Sequence, residues 1–300
     1  MILVGVDAGA SHSTALAADG ELRVLGRASG PPGAVRTGAI QESANAILGA
    51  VRQALADAGA GQATALVVGA AGAGREPERT DLERALTAAA AADRVRVTTD
   101  IEIALVAAFG DGPGILLLAG TGSGACARLP SGEVRRTGGH GWQFGDEGSG
   151  YALARSALAA VSRASDGRGP STRLTDALPR AAGLGAVDAL LQWARGAPRA
   201  AVAELAAGVQ QAALDGDPLA QQLVDDAARD LAAHIGPLRS HFPVGRPTPV
   251  AMAGGLVRAT TPVREAVARA LRRDPGLTLL DAPVEPPRGA LHLAQRLIAR

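Results

Sequence analysis

The sequence contains no lysine: all 30 of its basic side chains, in a chain of 300 residues, are arginines. A Walker A phosphate loop, a protein-kinase active site and a Schiff-base cofactor site each depend on a lysine, so these classes of protein are excluded. The chain also has a single cysteine, Cys126. One thiol rules out an internal disulfide, an iron–sulfur cluster and a four-cysteine zinc site.

Long apolar runs and an excess of charge of one sign are also missing. No uninterrupted apolar stretch reaches the roughly 18 residues that would indicate a membrane-spanning helix. The first residues lack the basic segment that is typical of a secretory signal. The formal net charge is +1, which argues against a nucleic-acid binder. We therefore expect a cytoplasmic protein that binds neither membrane nor nucleic acid.

The order of predicted strands and turns repeats once along the chain. Ile2–Val6 reads as a strand that ends at a glycine-hydroxyl loop, and two further strands follow across an Asp19-Gly20 hairpin turn. The same series begins again at Ile115–Ala119. This repeat predicts two α/β domains with a cleft between them. A coincidence between two hairpins is the alternative, because hairpins are common.

Helical spacing of apolar residues fills most of the remaining chain. An alanine-rich helical block runs from Tyr151 to about Ile235 and is interpreted as an insertion in the second domain. The other predicted helices are Ile40–Ala58, Leu82–Ala92, Ile101–Phe109, Val263–Leu271 and Ala290–Ala299.

Two glycine-hydroxyl loops are candidate phosphate sites, since glycine lets backbone N–H groups approach an anion closely. The first spans residues 7–14 and begins with Asp7; the second is Gly120-Thr121-Gly122-Ser123. A carboxylate beside a phosphate makes chemical sense when Mg²⁺ lies between them. A plain glycine-rich turn is the alternative for each loop. A dinucleotide fingerprint also fits the second loop, but the following segment reads as a hairpin rather than a helix, which disfavours a dehydrogenase.

Carboxylates mark two further positions. Asp100 follows a predicted strand, where it is able either to accept a proton from a substrate hydroxyl or to cap the next helix. The segment from Gly138 to Gly150 combines glycines with Trp142 and Asp146, a grouping typical of sugar sites. The alternative is a flexible loop in which Asp146 and Glu147 cap the helix that follows.

Five segments carry a resemblance to a known family: GVDAGASHST, VTTDIEIA, LLAGTGSGA, GGHGWQFGDEGSGY and AMAGGLV. In this order and spacing they resemble the N-acetylglucosamine kinase family, grouped with the BadF/BadG/BcrA/BcrD ATPases in the actin–hexokinase–Hsp70 superfamily. The resemblance implies an α/β fold of two duplicated ribonuclease-H-like (actin-like ATPase) domains with an interdomain cleft. It implies domains at 1–111, joined by a returning helix at 287–300, and at 112–286, with the helical insertion at about 151–245.

The resemblance also implies roles for individual residues. Asp100 resembles the catalytic base and a sugar contact, and Asp7 the acid that holds Mg²⁺ through water. Residues similar to the family's ATP contacts are Gly9, Ser11, Ser13, Thr121, Gly122, Gly254 and Gly255. Residues similar to its sugar contacts are Ser123, Gly141, Trp142 and Asp146. Arginines are expected to assist at the phosphates, but no motif singles one out.

The implied activity is transfer of the γ-phosphoryl group of ATP to the 6-hydroxyl of an amino sugar, by a homodimer. The alternative is a nucleotide-dependent regulatory ATPase of the same fold that turns over no sugar. One departure concerns the loop at residues 29–35, where the family commonly places a sugar-binding asparagine and this chain has none. The single cysteine excludes the dehydratase-activator branch, which needs an iron–sulfur cluster, and disfavours the ROK sugar kinases with their cysteine-rich zinc motif.

Overall fold

The computed structural model describes residues 1–299. The chain folds into two α/β units. Unit 1 comprises Met1–Gly112 together with the residues from Val284 onward, and unit 2 comprises Pro113–Pro283. Each unit has a mixed five-stranded sheet of its own.

A five-stranded sheet forms the centre of unit 1. Its strands are β1 (Leu3–Ala8), β2 (Ser13–Ala18), β3 (Val24–Gly30), β4 (Ala63–Ala70) and β5 (Ala92–Thr99). Their order is β3-β2-β1-β4-β5. The first three strands are antiparallel neighbours, whereas β1, β4 and β5 run parallel. The carboxyl ends of β1, β4 and β5 therefore meet at one edge of the sheet.

Three helices connect these strands: α1 (Ile40–Asp57), α2 (Glu78–Ala88) and α3 (Asp100–Phe109). In α1, the buried Ile47, Val51 and Leu55 follow helical spacing and face the sheet. The predicted helix at 82–92 is wrong in its bounds. Ala90 has a φ of 51°, which ends the helix, and Ala92 already belongs to β5.

Unit 2 has a sheet of the same design. Its strands are β6 (Gly114–Ala119), β7 (Ser123–Arg128), β8 (Val134–Gly138), β9 (Thr248–Ala253) and β10 (Leu277–Leu279). Their order is β10-β9-β6-β7-β8. Read from β8 to β10, with strands numbered along the chain within the unit, this order is 3-2-1-4-5, the same as in the first sheet. This confirms the predicted duplication.

The helices of unit 2 lie mainly between β8 and β9. They are α4 (Gly150–Ser165), α5 (Leu174–Ala181), α6 (Val187–Gly196), α7 (Arg199–Glu204), α8 (Ala206–Leu214), α9 (Pro218–Ala233) and α10 (Ile235–Arg239), followed after β9 by α11 (Pro262–Leu271). Leu153 of α4, Val209 of α8 and Leu231 of α9 belong to the same buried cluster as Ile115 and Leu117 of β6. The inserted helices therefore share one core with the sheet.

The last helix, α12 (Pro286–Ile298), packs in unit 1 against α3 and β1. Gly289 permits this close packing, because a Cβ there would overlap the carbonyl of Ile103. Gly5 in β1 does the same for the carbonyl of Pro287. No helix within residues 1–299 has both the length and the apolar character needed to cross a bilayer.

Candidate functional site

In unit 1, two carboxylates meet at the carboxyl edge of the sheet. Asp7 near the end of β1 pairs in register with Gly69 of β4, and Gly69 pairs in turn with Thr98 of β5. Asp100 comes two residues after Thr98. Strand β4 therefore lies between Asp7 and Asp100. Both residues are at the carboxyl edge of the parallel strands, where α/β sheets characteristically bind ligands.

The electrostatics of Asp7 reflect this position. Burial, followed by the negative charge of Asp100, raises the pKa of Asp7 from 3.8 to about 6. Within residues 1–299, no basic side chain forms a salt bridge with Asp7. A partly buried carboxylate without a cationic partner suits a site that takes up a cation from solution.

Asp100 is the first residue of α3, and Thr99 precedes it as the N-cap. The Thr99 side chain accepts a hydrogen bond from Glu102 N at 3.1 Å. Capping by Asp100, the alternative left open by the sequence, is therefore wrong. Asp100 Oδ1 instead accepts a hydrogen bond from the N–H of Ile101 at 3.0 Å, which fixes the carboxylate at the helix start.

The first glycine-hydroxyl loop turns tightly after β1. Gly9 N–H donates to the carbonyl of His12 at 3.0 Å, and the Gly9 carbonyl accepts from the N–H of Gly33 at 3.2 Å. Ser11 lies exposed at the tip of this loop. Ser13 is fully buried, and its hydroxyl donates to the carbonyl of Pro31 at 2.9 Å. Ser11 is thus placed where a phosphate could reach it, whereas Ser13 ties the loop to residues 29–35.

In unit 2, the second loop forms the tip of the β6–β7 hairpin and sits on the start of α4. The carbonyls of Gly120 and Thr121 accept hydrogen bonds from the N–H groups of Gly150 (2.8 Å) and Tyr151 (3.4 Å). Within residues 1–299, the N–H groups of Thr121 and Gly122 have no backbone partner. These two N–H groups are donors available to the oxygens of a phosphate.

The late glycine pair adjoins this loop. β6 and β9 are parallel neighbours, so Gly254 after β9 lies beside Ala119 at the end of β6. Gly254 has a φ of 112°, and a Cβ there would overlap the Ala119 carbonyl. Gly255, which begins a 3₁₀ turn, is exposed. The structure therefore brings Gly254 and Gly255 to the same sheet edge as Thr121 and Gly122.

The segment from Gly138 to Gly150 adopts an irregular path that depends on glycine. Gly141 and Gly148 have φ values of 92° and 70°, which side-chain-bearing residues rarely adopt. Trp142 packs edge-on against Tyr151, with ring centroids 5.6 Å apart, and remains 43% exposed. This exposed aromatic surface beside polar backbone is suited to the apolar face of a sugar ring.

Asp146 and Ser123 are buried together beneath the second loop. Asp146 Oδ1 lies 3.5 Å from Ser123 N, and the Ser123 hydroxyl donates to the Glu147 carbonyl at 2.6 Å. The Oδ2 atom of Asp146 lies 3.4 Å from an Nη atom of Arg199. Ser123 and Asp146 thus join the loop to the glycine-rich segment. Sequence reasoning did not find Arg199, because it lies 53 residues from Asp146 in a helix without a motif.

The start of α4 corrects one sequence alternative. Ser149 is the N-cap, and its side chain accepts from Ala152 N at 3.1 Å. Capping of this helix by Asp146 or Glu147 is therefore wrong. Asp146 has a φ of 58° and is 5% exposed, so it is held in place rather than belonging to a flexible linker.

No group of three or more His, Cys, Asp or Glu side chains within residues 1–299 is arranged to hold a metal ion. Mg²⁺ commonly binds through one or two carboxylates, with the substrate phosphates and water completing its shell. The pair of Asp7 and Asp100, with the raised pKa of Asp7, fits that mode of binding.

Residues 4–294 match the sequence model of the BadF/BadG/BcrA/BcrD ATPase family. The chain belongs to the BadF/BadG/BcrA/BcrD ATPase family. The match extends over both sheets and the inserted helices, so the two loops and the glycine-rich segment are parts of one family fold.

Similar proteins of known function or structure agree with this assignment. An N-acetylmuramic acid/N-acetylglucosamine kinase from Clostridium acetobutylicum is 27% identical over 233 residues, which cover 76% of each chain. A candidate N-acetylglucosamine kinase from Chromobacterium violaceum has a solved structure that is 29% identical, with a TM-score of 0.77 and 98% coverage of both chains. A ROK family glucokinase from Streptomyces griseus, crystallised with glucose and AMPPNP, is 20% identical with a TM-score of 0.65 and 99% coverage of both chains; it supports the fold alone.

Proposed function

We propose that the protein transfers the γ-phosphoryl group of ATP to the 6-hydroxyl of an amino sugar such as N-acetylglucosamine or glucosamine. The observation that carries the proposal is the carboxylate pair of unit 1. Asp7 and Asp100 interact electrostatically at a sheet edge, next to a glycine loop whose exposed tip includes Ser11. One carboxylate suits a metal-nucleotide and the other suits an alcohol.

Asp7 is the proposed ligand of the magnesium that accompanies ATP, through water. Its carboxylate has no salt-bridge partner within residues 1–299, and the raised pKa reflects the cost of keeping it charged without one. Magnesium would supply charge neutralisation at the phosphates. In unit 1, the tip of the first loop, with Gly9 and Ser11, would bind phosphate oxygens. In unit 2, the N–H groups of Thr121 and Gly122, which have no backbone partner within residues 1–299, offer donors of the same kind.

Asp100 is the proposed general base. Its carboxylate accepts the proton of the sugar hydroxyl as the new sugar O–P bond forms. The bond between the γ-phosphorus and the β,γ-bridging oxygen breaks, and its electron pair stays with ADP. The hydrogen bond from Ile101 N–H to Oδ1 holds the carboxylate in one orientation, which favours an in-line arrangement of the hydroxyl.

The glycine-rich segment of unit 2 supports an amino sugar as the acceptor. Trp142 is 43% exposed, and an indole ring is suited to cover the C–H groups of a sugar ring; Gly141 precedes it with a φ of 92°. The relative from Clostridium acetobutylicum carries the name of an amino-sugar kinase, which agrees with this choice. Cytoplasmic location and a homodimer, expected from the sequence, remain predictions.

A coupled assay of ADP release tests the proposal. The protein is incubated with ATP and Mg²⁺ and a panel containing N-acetylglucosamine, glucosamine, N-acetylmuramic acid, N-acetylmannosamine and glucose. We expect at least one amino sugar to raise ADP release well above the rate without sugar. If no sugar raises it, the kinase proposal fails and the regulatory ATPase is the better reading.

A further inference from the structure

Arg199, the first residue of α7, holds a position at the second glycine-hydroxyl loop that the sequence does not reveal. One of its Nη atoms lies 3.4 Å from Asp146 Oδ2. The Asp146 side chain is 7% exposed, whereas that of Arg199 is 40% exposed. The arginine therefore touches a buried anchor at one point and faces solvent elsewhere.

Asp146 places this arginine next to the loop. A Cβ on Gly122 would lie 2.9 Å from Asp146 Oδ2, the same oxygen that pairs with Arg199. At the other end of α7, the Ala203 carbonyl would lie 3.5 Å from a Cβ on Gly150, the first residue of α4. Helix α7 thus runs past the point where the loop meets the start of α4.

The guanidinium retains unused donors. An arginine side chain carries five N–H groups in a rigid fork, and within residues 1–299 the only hydrogen bond of the Arg199 side chain is the one to Asp146. A carboxylate that pairs with one Nη atom reduces the side-chain entropy lost when the remaining N–H groups bind an anion. The planar fork matches phosphate oxygens, which an arginine is able to bind in a bidentate manner.

We propose that Arg199 binds an oxyanion at the second glycine-hydroxyl loop, and that this oxyanion is the terminal phosphate group of ATP. The proposal rests on the proposed kinase function and adds a residue to it. Phosphate is the favoured anion because this loop contains the N–H groups of Thr121 and Gly122, which have no backbone partner among the described residues 1–299. A carboxylate carried by an acidic sugar has related chemistry, and the test below separates the two.

The test compares Arg199→Met, Arg199→Ala and Arg199→Lys with a control, Arg195→Met. Arg195 lies four residues earlier at the exposed end of α6, so its loss removes the same charge from a neighbouring position. The measured quantities are kcat, KM for ATP, KM for N-acetylglucosamine and for N-acetylmuramic acid, and the Kd values of ADP and AMPPNP. Melting temperatures establish that each variant is folded.

We expect Arg199→Met to lower kcat/KM for ATP by roughly tenfold to a hundredfold, the range for loss of a charged donor at a phosphoryl group. AMPPNP binding should weaken more than ADP binding, because only AMPPNP carries the γ-phosphoryl group. Arg199→Lys should recover part of the loss, and added guanidinium ion should partly rescue Arg199→Ala. Arg195→Met should match the wild type.

Two results would overturn the proposal. If a folded Arg199→Met variant has normal values throughout, the arginine only balances the charge of Asp146. If only KM for N-acetylmuramic acid rises, the anion is a sugar carboxylate. Should the wild type show no sugar-dependent turnover, the kinase function fails on its own, and the comparison of AMPPNP with ADP still decides the role of Arg199.

Discussion

At the scale of single residues, Asp7 has a pKa well above that of an ordinary aspartate. Its pKa is about 6, raised first by burial and then by the charge of Asp100. The folded state therefore binds the Asp7 proton more tightly than the unfolded state does. Below pH 3.8, Asp7 does not lower the free energy of unfolding. Between pH 3.8 and about 6, the free energy of unfolding falls as the pH rises, and above about pH 6 the full loss is present.

Replacing Asp7 should therefore stabilise the protein while it removes function. We expect Asp7→Asn to raise the free energy of unfolding by about 1–3 kcal/mol at pH 7.5 in the absence of magnesium. The gain should vanish near pH 4. Urea unfolding at both pH values measures this, with the exposed Asp57→Asn as the control. A variant that is no more stable than the wild type at pH 7.5 would contradict the destabilisation that we assign to the charged Asp7 side chain.

The same titration predicts a pH dependence of metal-nucleotide binding. Asp7 must lose its proton to hold magnesium, so the affinity for Mg-AMPPNP should fall roughly tenfold between pH 7.5 and pH 5. Calorimetric titrations of the wild type and of Asp7→Asn measure the effect. The variant should bind weakly at both pH values; an equal pH dependence in the two proteins would assign it to another group.

Sequence reasoning placed the predicted residues Asp7, Asp100 and Gly254 at sheet edges, because each follows an apolar strand in the chain. Local chemistry was harder to predict. Thr99 rather than Asp100 caps α3, since both residue types favour the position and only the backbone geometry decides. Arg199 had no sequence signal, because its meeting with Asp146 depends on how the inserted helices pack.

At the scale of elements, glycines at crossing points control how closely helices and strands approach. Gly289→Ala should destabilise the protein by about 1–3 kcal/mol, because the new methyl group overlaps the Ile103 carbonyl and α12 must move. Gly49→Ala is a matched control in α1, where a Cβ meets open space. Gly49→Ala should stabilise the protein by about 0.5–1 kcal/mol, because alanine has the higher helix propensity. Urea unfolding measures both variants, and equal changes in their free energies of unfolding would be inconsistent with this packing.

The end of α9 supports the start of the glycine-rich segment. The His234 ring occupies the space that a Cβ on Gly138 would need, and the Thr137 hydroxyl donates to the His234 carbonyl at 2.8 Å. Gly138→Ala should therefore destabilise the protein and lower sugar-dependent activity. In a double-mutant cycle, His234→Ala should relieve part of this loss, although the φ of 68° at position 138 still disfavours alanine. Strictly additive losses would show that the ring is not the obstacle.

Continuous apolar runs predicted the central strands, which are buried on both faces, and apolar periodicity predicted the long helix α1, which has one buried face. Element ends were predicted less well. The alanine run at residues 88–92 has neither a polar face nor a glycine, so nothing in it indicates that α2 ends at Ala88. The seven helices between β8 and β9 were predicted only as one block, although Gly167, Gly183 and Gly216, each with a positive φ, follow the ends of three of them.

At the scale of the whole molecule, the duplicated strand order was predictable because both hairpins open on a glycine-hydroxyl loop. The role of α12 follows from packing: Ala290, Leu291 and Ala294 are buried with Leu16 and Val67 of the first sheet. Deleting the residues from Val284 onward should expose this cluster and make unit 1 sensitive to limited proteolysis. Resistance equal to that of the full chain would show that unit 1 folds without α12.

Transfer of the terminal phosphoryl group from ATP to an amino sugar is the central claim, and labelled ATP tests it most directly. ATP labelled on its γ-phosphate is incubated with magnesium and N-acetylglucosamine or glucosamine, and the products are separated. We predict label on the sugar with the wild type, and almost none with Asp100→Asn although that variant still binds nucleotide. Label that appears only in inorganic phosphate, or equal transfer by Asp100→Asn, would contradict the account.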